Sequence, residues 1–129
     1  MTQNTLFNSL ADYSSISLLE ELQRRGGHPG ALATAALLCA KKSMDYNVGA
    51  DGAYPDIHTV DRTGYFPFGD VSYAQMLHTK SQRFNSLVMK QLTSGGDIQF
   101  ESLEDTAVDL INYAGFYIAD PRRIHDAKK

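Results

Sequence analysis

VSYAQMLHTKSQRFNSLVMKQL, residues 71–92, is the stretch on which the fold turns. Wound at ~100° per residue, it brings Tyr73, Met76, Leu77, Phe84, Leu87 and Val88 onto one face. That is the apolar stripe of an amphipathic helix, and no alternation of period two competes with it. Asp70 is placed to cap its start, and Ser94-Gly95-Gly96-Asp97 reads as the turn beyond its end. One residue breaks the stripe. Lys80 falls at the centre of the apolar face, with Arg83 near its edge. An unpaired buried ammonium is costly, so Lys80 should meet an anion. A structural salt bridge or a stem that snorkels to water would satisfy it; so would the phosphate or carboxylate of a ligand.

Outward from this helix toward the C-terminus, residues 98–100 lead into a second helix over 101–118, with a short strand at 98–100 as the alternative. Ala119-Asp120-Pro121 closes the helix, and residues 122–129 read as a polar tail that frays. Glu101, Asp105 and Asp109 are spaced four apart and form a column that continues into Asn112 and Phe116, while Leu103, Ala107, Leu110, Ala114 and Ile118 form an apolar face roughly opposite. Like charges at this spacing repel by only ~0.2–0.5 kcal/mol per pair, so a solvated acidic face is one reading. Asn112 and Phe116 on the same strip support another, in which it faces protein or ligand. Two carboxylates one turn apart can also share Mg²⁺, which takes one or two carboxylates together with phosphate oxygens.

Toward the N-terminus lies a long connection, residues 47–69, holding five glycines or prolines before Gly69 and the aromatics Tyr54, Tyr65, Phe66 and Phe68. Such a loop is expected to be ordered by packing its aromatics on something. Before it, Pro29 opens an alanine-rich helix over 29–44. Ser14 or Ser15 caps an earlier one with a Leu18, Leu19, Leu22 stripe, stopped by Gly26-Gly27. Residues 4–11 form a further short helix. Lys42 and Tyr46 share a face beside Asp45 at the end of the alanine-rich helix. They read either as a basic last turn complementing the helix dipole or as a cation and an aromatic plate for a phosphate and a base.

The expected fold is therefore all-α: four main helices in a bundle, with a long aromatic-rich loop between the second and third. At 129 residues one domain, 1–129, is the expectation, and it can bury a core without disulfides or a structural metal. A net charge of −3 argues against a life on long nucleic acid and leaves small nucleotides open. The single cysteine, Cys39, cannot form an internal disulfide, which fits a cytoplasmic setting, and its apolar neighbours make it a small core residue. Residues 1–10 lack the basic start and apolar run of a signal peptide. The longest apolar run, 31–40, falls short of the ~20 residues that span a bilayer, so no membrane partner is expected. There is no Gly-x-x-x-x-Gly-Lys-Ser/Thr loop, and the four histidines lack metal-ligand spacing.

Lys41-Lys42-Ser43-Met44-Asp45-Tyr46, then Phe68-Gly69-Asp70, then Lys80, Arg83 and Leu87, then Glu101-Ser102-Leu103-Glu104-Asp105-Thr106-Ala107-Val108-Asp109-Leu110-Ile111-Asn112-Tyr113-Ala114 together resemble the nucleotide modification associated domain 1 family of bacteriophages and bacteria. The resemblance spans about residues 38–117. It implies a mainly helical protein of nucleotide metabolism around modified DNA bases, in the host cytoplasm if phage-encoded. It also implies a nucleotide-handling core at 31–118, between an N-terminal helical extension at 1–30 and a polar tail at 119–129. The positions matching its pattern are Lys42, Asp45, Tyr46, Lys80, Arg83, Asp105, Asp109, Asn112 and Tyr113; the expected site uses Lys42, Asp45, Tyr46, Lys80, Arg83, Asn112 and Tyr113 for substrate, and Asp105 and Asp109, one turn apart, as catalytic and Mg²⁺-holding carboxylates. A more distant similarity is to MazG-like all-α nucleotide pyrophosphohydrolases, which hold Mg²⁺ between acidic pairs on facing helices. Here residues 71–92 contain no acidic residue, so that metal cage is incomplete. Three functions follow as expectations: an enzyme acting on (deoxy)nucleotide phosphates, a non-catalytic nucleotide sensor or sequestering protein, and a helical interaction module with a structural Lys–Asp network. A homo-oligomer is expected by analogy with short helical chains that complete a cleft with a second subunit.

Overall fold

A computed structural model describes residues 14–46, 57–58, 62–94 and 100–123, leaving out the side chains of 43–46 and 100–102. Within them the protein is all-α, with four helices and no strand: α1 (Ser15–Arg25), α2 (Gly27–Tyr46), α3 (Asp70–Ser94) and α4 (Phe100–Ala119). The expected helix at 4–11, the turn at 95–97, residues 98–99 and most of the 47–61 connection lie outside the described residues. None of the described helices is long and apolar enough to cross a membrane. The chain divides into two compact units, Met1–Ile57 and His58–Lys129, and α1 packs on α2 as α3 packs on α4.

In the first unit, Ser14 caps α1 as its sequence suggests, its Oγ accepting the Ser17 N–H at 3.1 Å. The helix stops at Gly26, whose φ of 78° is a left-handed value that a side chain rarely tolerates. Its N–H donates back to the Leu22 and Gln23 carbonyls. Gly27, also at positive φ, begins α2 at once. The second helix thus starts two residues before Pro29, which sits in the first turn where its missing N–H costs nothing. The helices approach closely at Gly30, where a Cβ would stand 3.0 Å from the Leu22 carbonyl oxygen. Ala33, Ala35 and Ala40 are buried, and no residue of α1 is. Leu18 and Leu22 of the expected stripe stay substantially exposed, at 39% and 43%.

The second unit is organised around Phe66. Its ring stacks on Tyr73 at 4.1 Å and 9°, and meets Tyr113 edge-on at 5.9 Å. Tyr117 in turn stands edge-on to Tyr73. The loop aromatics therefore divide: Phe66 anchors the chain before α3, whereas Tyr65 and Phe68 face solvent. The α3 stripe is as the periodicity predicts, with Tyr73 buried and Met76, Leu77, Lys80, Phe84, Leu87 and Val88 half-buried. Helix α4 turns the strip of Asp109, Asn112 and Phe116 toward protein, one of the two readings its sequence allows. Among its described residues Thr106 is the most buried; Asp109, Tyr113 and Phe116 are half-buried, as are Leu103, Ala107 and Leu110 of the expected apolar face, while Ala114 and Ile118 are exposed. Three aromatics of α4, Tyr113, Phe116 and Tyr117, pack with Phe66 and Tyr73. Asp70 lies inside the first turn of α3 rather than before it, and its carboxylate accepts the Tyr117 hydroxyl at 3.2 Å.

Candidate functional site

Helices α3 and α4 run antiparallel: Tyr73 contacts residues 116–120, and Lys80, two turns on, reaches Asp109. The Lys80 Nζ lies 3.0 Å from Asp109 Oδ2, an ion pair across the helix–helix contact. The side chains are 23% and 30% exposed, so the pair is neither sealed in a dry core nor free in solvent. Lysine at the centre of an apolar stripe has met its anion, as the sequence requires, and water still reaches both partners.

The other predicted site residues are distributed around this pair. Asp105 is exposed one turn before Asp109 on α4, and Arg83 is exposed about one turn after Lys80 on α3. Neither makes an ion pair among the described residues. Asn112 is half-buried and hydrogen-bonded or otherwise engaged. The Tyr113 ring is held edge-on against Phe66 and Phe116, so it belongs to the aromatic cluster of the second unit. Lys42 is exposed on α2 in the first unit. The side chains of Asp45 and Tyr46 lie outside the described residues.

Sequence reasoning missed the most heavily bonded carboxylate among the described residues of the second unit. Asp120, read as a helix stop leading into a fraying tail, has a side chain only 3% exposed. It accepts the Tyr73 hydroxyl at 2.8 Å, the Arg122 backbone N–H at 2.8 Å, and Arg122 Nε and Nη2 at 3.0 and 2.7 Å. Arg122 Nη2 also donates to the Phe66 carbonyl at 2.9 Å, which fastens residues 120–122 to the loop before α3. The Arg122 guanidinium holds the Asp120 carboxyl far below the usual carboxylate range, overcoming the opposing effect of burial. Burial, reinforced by the Asp120 charge, pushes the Tyr73 phenol up to about 12. The available signal was local: aspartate bonding the N–H two residues on is a turn habit, and Asp-Pro-Arg permits it.

Beside this clasp is a hollow of about 110 Å³ lined by Arg62, Tyr73, Phe116 and Asp120 among others. Arg62 covers the Phe116 ring, 4.4 Å from its centroid. A volume holding only a few waters at ~30 Å³ each is well short of the ~300–1,000 Å³ of a nucleotide-sized pocket. No buried side-chain nitrogen or oxygen among the described residues lacks a hydrogen-bond partner. The hollow is therefore a packing feature of a satisfied network.

A Mg²⁺ ion would find two carboxylates on α4, one of them beside an ammonium at 3.0 Å. That neighbour disfavours a dication, so Asp105 and Asp109 fit Mg²⁺ only as junior partners to ligand phosphate oxygens. Among the described residues no three His, Cys, Asp or Glu side chains gather closely enough to hold a metal ion. Compared with protein-family models, curated proteins and solved structures, the chain matches none.

Proposed function

We propose that the α3–α4 seam binds the phosphates of a nucleotide or deoxynucleotide, and that the protein serves (deoxy)nucleotide metabolism in a phage or DNA-modification setting. The observation that carries this reading is the half-open Lys80–Asp109 pair. A lysine is kept charged in the middle of an apolar stripe, where a leucine would pack better, and is left within reach of solvent. Arg83, exposed on the same helix, is placed to add a second cation. The family resemblance, centred on residues 101–114, supports the nucleotide as the class of ligand. Binding without turnover is favoured over hydrolysis, because the carboxylate set is small and partly neutralised. Mg²⁺ would arrive as the companion of the phosphates, with Asp105 as the carboxylate free to meet it. A homo-oligomer belongs to the same proposal.

A second reading, a helical interaction module, is favoured by the ion pair itself, since Lys80 is already satisfied by Asp109. One variant separates the two. Lys80→Met keeps the apolar stem and removes the charge. Under the nucleotide reading it folds but loses the thermal stabilisation that nucleotides give the parent, ~2.7 kcal/mol at about a hundredfold excess over Kd. Unaltered stabilisation by nucleotides would remove Lys80 as a phosphate contact. Running the titration with Mg²⁺ and with EDTA reads the metal's share, and equal affinity in both would exclude it from binding.

A further inference from the structure

We draw no further inference here: the strongest candidate, the surface patch of Tyr65, Phe68 and Val71 at the turn into α3, carries nothing because nothing in the structure shows what covers it.

Discussion

The two helix pairs of this protein solve the same packing problem with opposite materials. In the α1–α2 pair the contact is built from what is missing: Gly30 has no side chain, is buried, and lets the backbones approach closely. A Cβ placed on Gly30 would stand 3.0 Å from the Leu22 carbonyl oxygen. The polar contacts of that pair are superficial, a Gln23–Thr34 bond at 3.0 Å and the exposed Glu21 carboxylate between Arg24 and Arg25. Those two arginines, through hydrogen bonds above all from Arg24, draw Glu21 down to about 2. In the α3–α4 pair the contact is built from bulk, with a cluster of five aromatic rings including Phe66 and a buried carboxylate clasping the ends together. Close approach gains dispersion over a small area, whereas rings bury much more apolar surface and demand polar partners for their hydroxyls. The second unit should accordingly be the more stable and the more sensitive to single changes.

The comparison breaks hardest at Phe66. Phe66→Ala removes a ring that is 2% exposed and should destabilise by ~3–5 kcal/mol. Hydrogen exchange is expected to accelerate in residues 62–123 more than in 14–46; equal acceleration in both would show that the contrast between the units has no energetic meaning.

Next comes the clasp. Asp120→Asn leaves Tyr73 and Arg122 donors facing an amide and should cost ~2–3 kcal/mol at neutral pH. Because the folded Asp120 is held below its ordinary 3.8, its contribution is fully present above that range and is lost as pH falls through and below it. Tyr73 is raised, so its contribution is present below its ordinary 10.0 and is lost as pH rises from there toward about 12. Denaturant melts across pH should therefore show an acid slope that Asp120→Asn reduces and an alkaline slope that Tyr73→Phe reduces. Unchanged slopes would mean that these groups do not govern the pH limits of the fold.

The smallest effect sharpens the comparison from the other side. Gly30→Ala gains helix propensity of ~1 kcal/mol and meets a backbone oxygen that cannot swing aside, at an overpacking cost of ~1–3 kcal/mol. A net loss of about 1 kcal/mol is expected from these two effects. A stabilised variant would show that the α1–α2 contact is looser than its geometry implies.

The helices were legible because their signals are local. Ser14, Gly26, the α3 stripe and the stop before Pro121 each act within a turn or two of where they stand. The Lys80–Asp109 contact was legible for a different reason: a charge on an apolar face demands a partner, and α4 supplied the nearest column of carboxylates. The rotation of α4 was legible only as one of two alternatives: both of its strips contain apolar residues, and the ring partners at Phe66 and Tyr73 lie too far along the chain to be read. The Asp120 clasp was missed because its partners, Tyr73 and Phe66, lie 47 residues from Asp120 and 56 from Arg122 respectively, beyond any periodicity.

That separation bears on the order of events in folding. Residues 14–46 can assemble on contacts as short in range as the 11 residues between Gln23 and Thr34, and a loop that small closes at little entropic expense. The clasp joins positions 66, 73, 120 and 122 and closes the whole α3–α4 segment. On a ribosome the α1–α2 contacts can form once residue 46 has emerged. Phe66 and Tyr73 can stack on each other early, but their other ring partners come only with residues 113–117, and the Phe66 carbonyl gains its donor only when Arg122 has been added.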